Sequence, residues 1–273
     1  MRLEKKVAIV TGGTSGIGRS IVECFVEQGA AVYFSGRRAS VGAEVERATG
    51  ATFIEADVAI EADAARTILT AAEKAGRVDV LVNNAGNALA AGRLETLELE
   101  TFDRIMAVHV RGALAHIKHA SALMRAQRQG SIINICSVAG HRSGYSSSIS
   151  YAIAKAALLH LTRCAAMELG EDQVRVNAIS PGGIATGVFG KAIGVDSDTA
   201  DASAEKMKGF LAKMQAIPRA GLPGDIAKAA LFLASDESSF VNGADIVVDG
   251  GLIGGRRFSD VALGGGAMRA LFD

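Results

Sequence analysis

The chain has 273 residues, 49 % of them hydrophobic and 21 % charged, with 29 Lys and Arg against 29 Asp and Glu. That length and apolar content suit one large α/β unit, and the zero net charge argues against a nucleic-acid or anionic-membrane partner. Three scattered cysteines (Cys24, Cys136, Cys164), an N-terminus without a signal-peptide core and no apolar run of membrane-spanning length predict reduced thiols and a cytoplasmic setting.

Residues 7–11 form a short β-branched run, read as a buried strand. Thr11-Gly-Gly-Thr14-Ser15-Gly16-Ile17-Gly18 follows, and then an amphipathic run over 19–28. Strand, glycine turn and helix in that order make a phosphate cradle. Gly12, Gly16 and Gly18 let the backbone approach a pyrophosphate, and the helix start supplies N–H groups and a positive dipole end. An ordinary tight turn is the plainer reading of the glycines, and their place after the first strand favours a dinucleotide.

The second strand covers 31–35 and ends on Gly36-Arg37-Arg38, without the acid that would hold a ribose 2′-hydroxyl. Arg37 suits a 2′-phosphate instead, which predicts NADP; an arginine stacked on adenine would tolerate NAD as well. A helix over 41–49 leads to a strand over 52–55, then Asp57-Val58 and a helix over 59–75. The strand at 80–83 runs into Asn83-Asn84-Ala85-Gly86. One helical pattern covers 101–129, a strand covers 131–135, and Cys136-Ser137 closes it. A helix over 149–169 carries Tyr151 and Lys155. The strand at 174–179 ends in Ser180-Pro181-Gly182-Gly183. A helix over 224–234 precedes the last strand, 245–248.

This alternation predicts an α/β fold: a doubly wound, parallel, seven-stranded sheet with helices on both faces. Ligands in such sheets lie beyond the carboxyl ends of the strands, where residues 12–18, Arg37, Asp57, Asn84, Ser137 and Pro181 all fall. The segment 186–218 is too long for a plain connection and reads as a substrate lid or an irregular surface excursion. The expected domain spans 1–251, with 252–273 as a tail that becomes partly ordered on assembly.

Tyr151 and Lys155 are four apart on a helix, so they share a face, and an ammonium beside a phenol lowers the phenol's pKa. A phenol tuned in this way exchanges protons near neutrality. A surface Tyr with a solvated Lys is the plainer account of that pair alone. His109, His116 and His119 lie near one helical stripe, but their spacing matches no zinc pattern, so no metal is expected. Ser137 with His141 lacks the Gly-x-Ser-x-Gly elbow of a hydrolase.

Taken together, Thr11-Gly12-x-x-x-Gly16-x-Gly18, Asn83-Asn84-Ala85-Gly86, Ser137, Tyr151-x-x-x-Lys155 and Pro181-Gly182 resemble the short-chain dehydrogenase/reductase family, from about residue 5 to residue 251. The resemblance implies a single Rossmann-fold domain that moves a hydride between a nicotinamide dinucleotide and a secondary alcohol or ketone. It implies Tyr151 as acid/base, Lys155 tuning it and holding the nicotinamide ribose, and Ser137 orienting the substrate oxygen. Asp57 and Val58 would meet the adenine, the Asn84 backbone the adenosine ribose, and Ile184 and Thr186 the carboxamide. It also implies a homo-oligomer, tetramer or dimer. His109 stands where the family usually has Asn, so it relays protons or merely fills space. The rival function is a dinucleotide-binding sensor or scaffold with weak catalysis.

Overall fold

The computed structural model describes residues 1–86, 93–269 and 272. Its strands are β1 (Val7–Thr11), β2 (Ala31–Gly36), β3 (Thr52–Glu55), β4 (Val80–Asn83), β5 (Gly130–Ile135), β6 (Val174–Pro181) and β7 (Asp245–Val248). They form one parallel sheet in the order β3-β2-β1-β4-β5-β6-β7. The expected α/β class, strand number and parallel sense are therefore present. The order reverses at β1, which has β2 on one side and β4 on the other. Connections leave in opposite directions there and open a crevice beyond the strand ends.

The central strands β1, β4, β5 and β6 are buried on both faces, so they read as apolar runs rather than alternating ones. Ala8 and Val10 of β1 join one core layer, Val7 and Ile9 the other, as successive side chains point to opposite faces. Helix α1 (Gly16–Glu27) and α10 (Pro223–Ala234) cover the first face with Phe25, Ile226 and Ala230. Helices α3 (Glu61–Ala75), α5 (Gly112–Gln127) and α6 (Ile149–Gly170) cover the second with Ile68, Ala120, Met124 and Leu169. Phe25 and Phe34 are completely buried, and each such ring stabilises the fold by roughly 1.5–3 kcal/mol. Helix α2 (Ala39–Thr49) lies between β2 and β3.

Three expectations need correction. The helix after Asp57 starts at Glu61 rather than 59, because an exchanged turn holds its approach: Asp57 N–H donates to Asp63 Oδ2 (2.8 Å) and Ala59 N–H to Asp57 Oδ1 (3.0 Å). The pattern over 101–129 is not one α-helix. It comprises α4 (Leu99–Met106), a π-helical turn Ala107–Arg111, and α5, which ends at Gln127 with Arg128 left-handed at φ 53°. The tail holds a helix, α11 (Phe258–Arg269), already in the single chain; residues 270, 271 and 273 of the expected tail lie outside the described ones. Long-range contacts that tie the tail down include Tyr145 Oη donating to Leu252 O (3.2 Å) and Arg257 Nη1 donating to Lys213 O (2.9 Å). The 186–218 segment contains α7 (Val188–Ala192), α8 (Ser197–Ala202), a 3₁₀ turn Ala204–Met207 and α9 (Lys208–Leu211).

Candidate active site

The cradle begins where β1 turns into α1. Gly12 and Gly16 have φ of +68° and +54°, a region costly for residues with a Cβ. At Gly12 a Cβ would lie 2.8 Å from Ala85 Cα, and at Gly18 it would run into Gly12 O and Asn84 Nδ2. The Asn84 side chain knits the two strand ends, donating to Thr11 O (2.9 Å) and Gly12 O (3.2 Å). Thr11 Oγ1 accepts from the N–H groups of Asn84 and Ala85 at 3.0 and 3.1 Å. The N-cap of α1, Ser15, makes no side-chain cap and the first turn has no acid, so its positive end remains available to an anion. This donor set and bare backbone fit a dinucleotide pyrophosphate.

One cavity of about 530 Å³ begins at this cradle, within the range of small-molecule sites. Every residue expected at the site lines it. Gly12, Thr14, Ser15, Gly16, Ile17 and Gly18 form one wall; Arg37, Asp57 and Val58 stand at the β2 and β3 ends; Asn84 sits at the β4 end. His109, Ser137, Tyr151 and Lys155 form the opposite end, with Pro181, Gly182, Ile184 and Thr186 beside them. Asp57 Oδ1 is engaged by Ala59 N–H, and Oδ2 lies 3.9 Å from Arg37 Nη1.

Ser137 follows β5 by two residues and caps the 3₁₀ turn Val138–Gly140, its Oγ accepting from Ala139 N–H at 3.2 Å. Tyr151 lies in the first turn of α6, where Ser148 Oγ caps its N–H at 3.3 Å. Lys155, one turn on, is 4 % exposed; its Nζ donates to Ile135 O at 2.7 Å and lies 5.5 Å from the Tyr151 ring centroid. His109 meets Tyr151 edge-on, with ring centroids 5.3 Å apart and planes at 88°. The π turn brings His109 inward, and Gly86 makes room for it, since a Cβ there would lie 2.6 Å from His109 Cε1.

The electrostatics differ from the sequence expectation. Spacing alone predicted that Lys155 lowers the Tyr151 pKa. Tyr151 keeps some surface open to the cavity, yet burial pushes its phenol up to about 12, partly offset by a hydrogen bond with Ser137. Burial also pushes the Lys155 ammonium down, to about 8. The ammonium is directed at the Ile135 carbonyl, and burial sets the direction of the phenol's shift.

A family model described as enoyl-(acyl carrier protein) reductase matches residues 12–253. Short-chain dehydrogenase reductase 4 of Arabidopsis thaliana is 39 % identical over 257 residues, covering 91 % of this chain and 83 % of that protein. The chain belongs to the short-chain dehydrogenase/reductase family. Xanthoxin dehydrogenase of Arabidopsis thaliana is 37 % identical over 264 residues, covering 92 % of this chain and 90 % of that one. The crystal structure of levodione reductase superposes with a TM-score of 0.80 at 30 % identity, covering 92 % of this chain and 98 % of that chain. Family membership makes the chain a member of an oxidoreductase family and implies a nicotinamide dinucleotide cofactor. No helix among the described residues is long and apolar enough to cross a membrane.

Short-chain dehydrogenase/reductase motifs led to the cradle and the Tyr151 end. They did not point to Arg38, Lys191, Ser197 and Asp201, which line the same cavity. Asp198 and Asp201 are three apart on α8, a one-face acidic spacing that was the available signal. Sequence reading also missed a polar node beneath the Ser137 loop: His141 Nε2 lies 2.6 Å from Asp245 Oδ2 and 3.1 Å from Ser180 Oγ, and Ser180 Oγ donates to Asp245 at 2.9 Å.

Proposed function

We propose that this chain interconverts a secondary alcohol and its ketone with NADP(H), Tyr151 being the acid/base. The observation carrying this reading is the single cavity in which a phosphate cradle at one end meets Ser137, Tyr151 and Lys155 at the other. A bound nicotinamide dinucleotide supplies or takes the hydride.

In the reducing direction Ser137 Oγ donates a hydrogen bond to the substrate carbonyl oxygen and fixes its position. Tyr151 Oη then delivers its proton to that oxygen as negative charge develops there. The Lys155 ammonium would hold the ribose hydroxyls of the nicotinamide half, and its charge favours the phenolate left on Tyr151. His109, edge-on to Tyr151, returns a proton to it. Alcohol oxidation runs the same path backwards, with Tyr151 accepting the hydroxyl proton.

At the other end, Asp57 and Val58 would hold the adenine, the Asn84 backbone would meet the adenosine ribose, and Arg37, with 71 % of its side chain exposed, would meet the 2′-phosphate. Ile184 and Thr186, both buried, would hold the carboxamide. The 186–218 segment acts as a lid. The exposed apolar side chains Leu114 of α5 and Ile153 and Met167 of α6 are an interface with a second copy, in a dimer or tetramer. The cysteines, all free, belong with a cytoplasmic protein.

Turnover of a panel of secondary alcohols and ketones with NADP(H) and NAD(H) tests the reaction; no turnover with either would overturn it. Calorimetric titration tests the cofactor. Tighter NADPH than NADH, weakened selectively by Arg37→Ala, supports NADP, and tighter NADH contradicts it.

A further inference from the structure

The end of β2 reads as doubly cationic, Arg37-Arg38 with no acid nearby in sequence. The fold changes that. Arg38 Nη1 donates to Asp198 Oδ1 and Nη2 to Asp201 Oδ2, both at 3.0 Å, across 160 and 163 residues of chain. Lys191 Nζ donates to the other oxygen of Asp201, Oδ1, at 2.7 Å. Gly187 lets α8 come this close, because a Cβ there would press on Asp201. Arg38, Lys191 and Asp201 line the cavity beside Arg37 and Asp57.

We propose that Asp201, assisted by Asp198, is a cofactor-selectivity residue: by engaging and neutralising Arg38 it weakens the chain's grip on a ribose 2′-phosphate. The inference rests on the dinucleotide reading above and adds what sets the choice of cofactor. Arg37, Arg38 and Lys191 stand against Asp57, Asp198 and Asp201, three charges of each sign. An incoming phosphate, with a charge of about −1.5 to −2, therefore meets a locally neutral cluster in which one guanidinium already serves two carboxylates. A 2′-hydroxyl carries no charge and is nearly indifferent to that balance. Asp201 has the larger effect because its side chain is 24 % exposed, whereas that of Asp198 is 83 % exposed and screened by solvent. Wild-type preference for NADPH, resting on Arg37, is accordingly modest. Because these acids belong to the 186–218 segment, cofactor choice and the position of the lid are linked through Arg38.

Calorimetric titration of the full chain with NADPH and NADH tests this without turnover. In the Asp198→Asn/Asp201→Asn variant, the affinity ratio should shift toward NADPH on the order of tenfold, one freed charge-assisted contact, with NADH changed by less than about threefold. Asp198→Asn alone, at an exposed position, should shift it in the same direction by a smaller factor. Adding Arg38→Ala should erase the gain. An unchanged ratio, a shift toward NADH, or an equal gain without Arg38 would overturn the proposal while leaving dinucleotide binding in place. Wild-type protein that binds neither nucleotide would overturn the dinucleotide reading and this inference with it.

Discussion

Replacing Lys155 with methionine should stabilise the chain at neutral pH while removing a group the proposed chemistry uses. Lys155 is 4 % exposed, and burial holds its pKa near 8 against an ordinary value of 10.5. The unfolded chain therefore binds more protons than the folded one between those values, and wild-type stability rises with pH across that window. Charging this buried ammonium costs about 3 kcal/mol at pH 7 and under about 1 kcal/mol at pH 10. Methionine is of similar length and carries no charge, but it leaves Ile135 O without its 2.7 Å donor, a loss of about 1–2 kcal/mol. The net expectation is a variant more stable by roughly 1–2 kcal/mol at pH 7, with the advantage gone by pH 10. Tyr151, raised from 10 to about 12, destabilises the fold only above pH 10, because the unfolded chain then releases its proton first, so it does not disturb this window. Urea unfolding of both proteins at fixed protein concentration, from pH 7 to 10, provides the comparison. A variant less stable than wild type at pH 7, or a difference that does not change with pH, would refute the reasoning.

Other substitutions probe the rest of the site. Gly18→Ala places a methyl against Gly12 O and Asn84 Nδ2; calorimetry should show dinucleotide affinity falling more than about tenfold, and urea unfolding a loss of about 1–3 kcal/mol. His109→Phe keeps a ring between Gly86 and Tyr151 but cannot carry a proton, so kcat should fall about a hundredfold, whereas His109→Asn should stay within about tenfold; Phe at wild-type kcat would remove the relay. Deleting residues 252–273 removes the carbonyl that receives Tyr145 Oη and the Arg257 contact with Lys213 O, which should raise KM; steady-state kinetics and solution size both unchanged would leave the tail without a role.

Much of the framework was readable because most strands are short apolar runs followed by glycine or polar residues. In a parallel sheet all those ends face one crevice. That is why Gly12, Arg37, Asp57, Asn84, Ser137 and Pro181 could be placed at one edge from order alone. Four features were not readable, each for a physical reason. The helical period through Ala107–Arg111 continues without a sequence break, so periodicity alone did not announce the wider π turn that directs His109 inward. The Tyr151 pKa depends on what buries the phenol and where Lys155 points, and residue spacing reports neither. Arg38 is neutralised by acids 160 and 163 residues away, a pairing only the folded chain creates. The tail was equally opaque: Gly264-Gly265-Gly266 argues against a helix by propensity, yet α11 runs through it.

The central claim is that Tyr151 is the acid/base of a dinucleotide-dependent reaction. Tyr151→Phe keeps the ring and removes only the hydroxyl, so nucleotide binding and turnover should separate. Calorimetry should find dinucleotide affinity within about threefold of wild type, while kcat/KM on the best alcohol or ketone falls by about a thousandfold. Turnover equal to wild type would contradict the account, and a wild-type chain that binds the dinucleotide yet turns over no substrate would leave a sensor in place of an enzyme.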